Sequence, residues 1–352
     1  MAAPTGTATV LAVLVLAAAA ALGAGLLVRI LHPLLVRYAL ARPNARSAHS
    51  TPTPQGGGIA VLGALVPAAA LGAALLEPNA RDGIRLATVL AAAVLVGAVG
   101  AVDDIRPLPP LPRLALQLIA MGLAVSALPD GARVLPWLPL AIERLLLVVG
   151  GAWFVNLTNF MDGMDWLTVA DVVPASAALT VFWLCGALSP AAGLVALGLL
   201  GGLLGFAPFN RPVARLFLGD VGSLAIGLLL AYGLFDLAAH GGLAAAVLLV
   251  LYPVADSGLT LLWRLRHGQR VWEAHRHHFY QVAVARGFAV PDVLRRVFAA
   301  NLALAAFAAA SLWQGGVAAP LADLALGAGV VAVLLRGLAR GRPGEGAAPP
   351  PR

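Results

Sequence analysis

The chain has 352 residues, 61% of them hydrophobic and 11% charged, whereas soluble domains run at about 45–50% and about 25%. An ordinary water-soluble enzyme is thereby excluded, and an integral membrane protein is indicated. The formal charge of +7 rests on arginine alone, since the sequence has no Lys. A helix needs about 20 apolar residues to cross the hydrocarbon core. Such runs predict eleven helices, at 7–30, 57–76, 85–102, 111–128, 139–155, 168–186, 190–208, 222–238, 243–262, 293–312 and 320–337. The first has no basic residue before it and exceeds the apolar core of a signal peptide, so it is expected to stay as helix one. Short loops join the helices into a single transmembrane domain, 1–340, of an all-α polytopic protein. The Pro/Gly-rich tail, 341–352, is expected to be disordered.

Charge placement sets the orientation. If the loop after helix one is cytoplasmic, only Arg81, Arg85, Arg133 and Arg144 face outside, and the other nineteen arginines face inside. The positive-inside rule then puts the N-terminus outside and the C-terminus in the cytoplasm. The net charge reads as membrane orientation with attraction for anionic membrane lipids. No aromatic-basic module supports a nucleic-acid partner. In this topology "SAHSTPTPQGGG" (47–58), "VDDIRPLPPLPR" (102–113), "NLTNFMDGMDWL" (156–167), "FNRPVARLFLGDVGS" (209–223) and "RLRHGQRVWEAHRHHFYQ" (264–281) share the cytoplasmic face. Acidic, amide, His and Gly-rich segments gathered on one side point to a site facing the cytoplasm.

Asp103 and Asp104 end helix three, where a carboxylate pair could bind a hard cation or take a proton from a nucleophile. The plain alternative is a solvated helix end, but negative charge is disfavoured at a helix C-terminus. Asn156, Asn159, Asp162 and Asp165 recur at spacings of three, which on a helix projects oxygen ligands toward one side. An Asn/Asp-rich turn is the competing reading. Asp220, between Gly219 and Gly222, precedes an apolar helix. Backbone N–H groups there could meet a phosphate while Asp220 holds Mg²⁺; an ordinary helix cap stays open. His275, Arg276, His277 and His278 offer phosphate clamping by Arg and proton transfer by His. A His-rich metal site is less well supported, because no Cys lies nearby. Asp256 falls inside helix nine, where an ionisable group is functional by default, with an Arg as the expected partner. Cys185, the only Cys, is expected in a buried apolar position.

The motifs "HSTPTPQGGGIAV", "VDDIRPLPPLPRLALQ", "NLTNFMDGMDWL", "FNRPVARLFLGDVGSLAIG" and "AHRHHFYQ" occur in that order. With them the chain resembles the polyprenyl-phosphate N-acetylhexosamine-1-phosphate transferases, glycosyltransferase family 4, and more narrowly the branch that begins O-antigen or other surface glycans. The resemblance implies Mg²⁺-dependent transfer of a sugar 1-phosphate from a UDP-N-acetylhexosamine to undecaprenyl phosphate, with release of UMP, at the cytoplasmic side of the inner (plasma) membrane. It implies that Asn159 and Asp220 hold the metal and that Asp103 and Asp104 bind or deprotonate the lipid phosphate. Asp162 matches the Asp of the family's "N-x-x-D-G" element and is grouped with them as catalytic. Asn156, Asp165, His275, Arg276 and His278 are expected around the substrates, and Asp256 joins them as a buried ionisable group. Undecaprenyl phosphate, the UDP-sugar and membrane lipids are the expected partners, with a homodimer left open.

Tyr280 and Gln281 stand where many members have His, Trp166 where Gly is common, and Gln55 where a basic residue is common. An aromatic face in the last loop suits an apolar C6 methyl. The expected donor is therefore a UDP-N-acetyl-6-deoxyhexosamine or UDP-N-acetylglucosamine, and not the muramoyl pentapeptide donor. A transporter or flippase for a lipid-linked or anionic solute is the alternative of a different class. It would place ionisable groups near the bilayer midplane on broken helices, not at cytoplasmic helix ends.

Overall fold

The computed structural model describes residues 6–41, 52–76, 79–270, 275–314 and 316–341. Positions 47–51 of the first motif and the tail from 342 onward lie outside these. In chain order the elements are α1 (Thr7–Tyr38), β1 (Leu40–Ala41), β2 (Thr53–Pro54), α2 (Gly57–Leu76), α3 (Ala80–Ile105), α4 (Pro110–Ser126) and α5 (Leu140–Met161). There follow α6 (Leu167–Leu184), α7 (Pro190–Asn210), α8 (Asp220–Leu237), α9 (Leu243–Leu249), α10 (Leu251–Arg266), α11 (Phe279–Ala285), α12 (Val290–Trp313) and α13 (Ala318–Arg340). β1 and β2 form one short antiparallel pair.

The protein is all-α and multi-pass. Among the described residues nine helical stretches are long and apolar enough to cross a membrane. One of them, Asp220–Leu249, turns at Gly241, whose φ of 92° is not helical. α4, at 17 residues, is shorter than the nine. Ten of the eleven expected spans coincide with one helix each, but 243–262 does not. It is divided into α9 and α10 at Val250, which has φ −125° and ψ 14°. The cause is Pro253, which has no N–H to give to the Leu249 carbonyl. Cys185 also departs from expectation: α6 stops at Leu184, and Cys185 caps it in an exposed position.

α7 and α8 are apolar on every side and buried along almost their whole length, as a central helix must be. α1, α2 and α6 pack on α7, while α3 and α5 pack on α8. Small residues allow close approach. A Cβ on Gly58 would lie 2.1 Å from Gly222 Cα, so α2 and α8 touch main chain to main chain. This packing brings the last turns of α3 and α5 to the first turn of α8 at one end of the bundle.

At the opposite end of α5, Glu143 is fully buried in the first turn. It accepts the Arg133 guanidinium and the N–H groups of Val134, at 2.6 Å, and Leu135, at 3.1 Å. The loop before α5 is thereby pinned to the helix. Glu143→Gln removes the charge and one acceptor oxygen, and should cost about 1–3 kcal/mol in detergent unfolding. An unchanged unfolding midpoint would contradict that role.

Candidate active site

The site is built from three helix ends. Asp104 Oδ1 accepts the Asp220 N–H at 3.0 Å, and Oδ2 accepts the Val221 N–H at 3.2 Å. Although it lies at the C-terminus of its own helix, Asp104 therefore caps the N-terminus of α8, where the dipole favours negative charge. Gly219, at φ 75°, leaves room for it, since a Cβ there would stand 2.6 Å from Asp104 Oδ2. The Asp220 and Val221 N–H groups, which the sequence offers to a phosphate, are thus taken by the protein's own carboxylate. Gln55 also reaches this point, its Nε2 donating to the Asp104 carbonyl at 2.8 Å.

Asp103 accepts the Leu108 N–H at 2.6 Å and pairs with Arg113 Nη1 at 2.6 Å. The same Nη1 lies 3.7 Å from Asp220 Oδ2. Asn159 Nδ2 donates to Asp220 Oδ1 at 2.8 Å and to Ser223 Oγ at 2.9 Å. Asp103, Arg113, Asp220, Asn159 and Ser223 accordingly form one connected cluster, which Asp104 joins through the backbone of α8. Arg113 and Ser223 were not among the expected site residues. Arg113 carried a readable signal, because a cation in the first turns of a helix opposes the dipole just as Asp103 and Asp104 do at a C-terminus.

The segment 156–167 divides into parts with different partners. α5 ends at Met161 and Asp162 caps it, so the four Asn and Asp side chains do not share one helical face. Asn156, one turn before Asn159, donates to Gln117 Oε1 at 2.6 Å and to the Ala152 carbonyl at 2.9 Å, pairing α5 with α4. Asp162 accepts the Thr168 hydroxyl. Burial above all, opposed by that hydroxyl and reinforced by Asp220, Asp104 and Asp165, pushes the Asp162 carboxyl up to about 8. Asp165 Oδ2 accepts the Ala214 N–H at 2.9 Å, and Asn210 Oδ1 accepts the Trp166 N–H at 2.8 Å. These two bonds tie the end of α7 and the loop after it to the α5–α6 loop. Trp166 adopts φ 62°, ψ 0°, the left-handed conformation that Gly enters with least strain. Its indole Nε1 donates to the Ala207 carbonyl at 2.6 Å.

The last loop is organised by Asp256, which is 0% exposed. Its carboxylate pairs with His278 Nδ1 at 3.1 Å and accepts the N–H groups of Phe279 at 3.0 Å and Tyr280 at 3.4 Å. The Tyr252 hydroxyl also donates to it, at 3.4 Å. The Arg partner expected for Asp256 is replaced by His278. Arg264, two turns along α10, donates instead to Gln269 Oε1 and the Arg270 carbonyl. Burial first, then His278, Arg264 and His277, push His275 down to about 3; burial, Arg264 and His278 also lower His277. Both rings are neutral at neutral pH, and the exposed Arg276 carries positive charge in this loop.

Tyr280 is 1% exposed and donates its hydroxyl to the Phe160 carbonyl at 3.2 Å. α11 turns the ring inward, so it offers no face to a sugar, and the reason for expecting a 6-deoxy donor is removed. Its place is against the turn after Asp162, where a Cβ on Gly163 would meet Tyr280 Oη at 2.1 Å. Gly163→Ala should therefore displace α11 and lower turnover by about tenfold or more, the order seen when a positioning contact shifts. Tyr280→Phe, which removes the clashing oxygen, should recover part of the loss in the double variant. Additive losses would contradict this contact.

A multi-pass helical bundle whose carboxylates, amide and arginine meet at one end has the build of a membrane-embedded phosphosugar transferase. The family model described as Glycosyl transferase family 4 matches residues 86–238, from α3 to the end of α8. A decaprenyl-phosphate N-acetylglucosaminephosphotransferase of Mycobacterium tuberculosis is 31% identical over 277 residues, covering 69% of this chain and 68% of the relative. That of Mycobacterium leprae is 30% identical over 308 residues, covering 78% and 76%. A phospho-N-acetylmuramoyl-pentapeptide-transferase of Streptococcus pneumoniae is 29% identical over 248 residues, covering 64% and 73%. The chain belongs to glycosyl transferase family 4, the polyprenyl-phosphate N-acetylhexosamine-1-phosphate transferases. The transporter reading falls with that assignment.

Proposed function

We propose that the protein transfers N-acetylglucosamine 1-phosphate from UDP-N-acetylglucosamine to a polyprenyl phosphate of undecaprenyl or decaprenyl length, releasing UMP, as the first membrane step of a surface or cell-wall glycan. The observation that carries the reading is the cluster in which Arg113 lies between Asp103 and Asp220 while Asn159 orients Asp220. The mycobacterial relatives, named for N-acetylglucosamine, favour that donor over the muramoyl pentapeptide.

The donor set at the cluster is oxygen-rich and suits a hard cation. Among the described residues no group of three or more His, Cys, Asp or Glu could hold a metal by itself. Mg²⁺ fits nonetheless, because it is usually bound by one or two carboxylates together with substrate phosphates and water. Asp220 would hold it, beside the side-chain oxygen of Asn159. When bound, Mg²⁺ supplies neutralisation of the diphosphate charge. An oxygen of the lipid phosphate attacks the sugar-bearing phosphorus, and the bond to the bridging oxygen breaks as UMP leaves. Arg113 screens the two polyanions from one another, Asp103 fixes the guanidinium, and Asp104 holds the first turn of α8 so that Asp220 faces the reactants. Asp162, whose carboxyl burial pushes up to about 8, lies beside them. Exposed Arg276 and the ring of His278 form the basic loop that meets the diphosphate, while Asn156 and Asp165 shape the site through α4 and the α7–α8 loop.

Purified protein given undecaprenyl or decaprenyl phosphate should release UMP fastest from UDP-N-acetylglucosamine within a UDP-sugar panel. Comparable release from UDP-N-acetylmuramoyl pentapeptide would move the chain to the other branch. The arginine bias supports a cytoplasmic site at the inner membrane. In a background lacking Cys185, a Cys at Gly268 should react only with permeant thiol reagents in intact cells, and one at Asn79 also with impermeant ones. The reverse pattern would invert the topology.

A further inference from the structure

Away from the site, positive charge collects where α11, α12 and α13 meet. Arg286 caps α11, Arg295 and Arg296 stand in the second turn of α12, and Arg336 and Arg340 lie in the last turns of α13. All five are exposed. Among the described residues the carboxylate paired with any of them is Asp292, on Arg295. The helices bring the group together. Arg286 donates to the Ala339 carbonyl, and a Cβ on Gly337 would lie 3.9 Å from Arg296 Nη1. The Arg296 guanidinium lies 4.7 Å from the centre of the Phe288 ring, which orients it.

A recess of about 390 Å³ adjoins these cations, lined by Asp292, Arg295, Arg296 and Ala299. The four share one face of α12, and the small Ala299 leaves the recess open. Phe298, 39% exposed, stands beside the recess, and Leu302, 49% exposed and one turn further along, carries the apolar surface on into the membrane-crossing part. Cations at the helix start, then a gap, then an apolar wall follow the order of phosphate, glycerol and acyl chain in a phospholipid.

We propose that this face binds an anionic phospholipid, its phosphate on Arg295, Arg296 and the α13 arginines, its glycerol in the recess at Ala299 and one acyl chain along the apolar wall at Leu302. A free phosphate would use the guanidiniums alone; the recess and the apolar wall favour the lipid. Arginines that only orient the protein in the bilayer would attract anionic lipid diffusely, with no dependence on Ala299.

The test is native mass spectrometry of the detergent-purified chain titrated with phosphatidylglycerol or phosphatidylcholine. Phosphatidylglycerol should bind about tenfold more tightly, and Arg296→Gln with Arg336→Gln should weaken it by about 25-fold, near fivefold per arginine, with phosphatidylcholine unchanged. Ala299→Leu fills the recess without touching the charges, and should weaken phosphatidylglycerol by about fivefold. Inorganic phosphate at the same concentration should not displace the lipid. Equal binding of the two lipids, full displacement by phosphate, or an unaltered Ala299→Leu variant would overturn the proposal. The last of these decides even if the double arginine variant does not fold. None of these residues belongs to the transfer site, so UMP release reports separately on the proposed reaction.

Discussion

Asp220→Ala is expected to reduce UMP release by about 100-fold or more, the scale lost when one charge-stabilising group is removed from an active site. Among the described residues Asp220 is the one carboxylate in contact with both Arg113 and Asn159, and its side chain is 29% exposed. The fold should survive, because α8 is capped by Asp104 through backbone N–H groups that any residue at 220 retains. Asp220→Asn keeps the size and a hydrogen bond to Asn159 but loses the charge, and should fail to the same degree. EDTA should reproduce the loss in the wild type, and added Mg²⁺ should restore it. Full turnover in either variant, or after metal is stripped, would contradict the role given to Asp220.

Asp256→Asn should lower kcat by about 10- to 100-fold, the range found when a residue that orients a functional His is replaced. Asp256 accepts from His278 Nδ1, two backbone N–H groups and a tyrosine hydroxyl while fully buried. The carboxylate favours the ring proton on Nδ1, and on the proposed function Nε2 is the nitrogen left to act toward the substrate. An Asn amide N–H₂ turned to Nδ1 would force the opposite tautomer. Asp256→Ala should add a stability loss of about 1–3 kcal/mol, because it leaves buried donors without an acceptor. The two variants separate orientation from packing. If Asn restores both stability and turnover, Asp256 only holds α11 in place; if it restores stability but not turnover, the ring orientation matters. Imidazole nitrogen shifts of His278 should move in the Asn variant, which a purely structural role would not require.

The membrane class and most spans were legible because apolar length is a strong local signal, and α2 matches the run 57–76 residue for residue. The clustering of Asp103, Asn159 and Asp220 was legible through their motifs, but the division of labour was not. That Asp104 caps α8 depends on a contact across 116 positions, and no local pattern announces it. The spacing of three in 156–167 misled because helical geometry stops at Met161, and a repeat cannot tell a helix from the turn that ends it. Tyr280 read as an aromatic face for a sugar because sequence alone does not say which way a short helix turns; Gly163, with no room for a Cβ, was the hidden complement. The left-handed Trp166 shows the reverse. A departure from the resembled motif marks a backbone conformation that Gly enters with least strain, held here with two hydrogen bonds. Buried Glu143 and the pair of Asp171 with Asn301, 2.8 Å apart between α6 and α12, are not legible in the sequence, since single polar residues in apolar runs carry no periodic signal.

The transfer itself is tested most directly by identifying both products of one reaction. Purified protein, undecaprenyl phosphate, UDP-N-acetylglucosamine and Mg²⁺ should yield, by mass spectrometry, a lipid diphosphate carrying N-acetylglucosamine and an equal amount of UMP. Formation of UDP with a lipid monophosphate sugar would mean that the lipid attacks the sugar carbon and not its phosphorus, and would contradict the assignment of the Asp103, Arg113, Asp220 and Asn159 cluster to phosphosugar transfer.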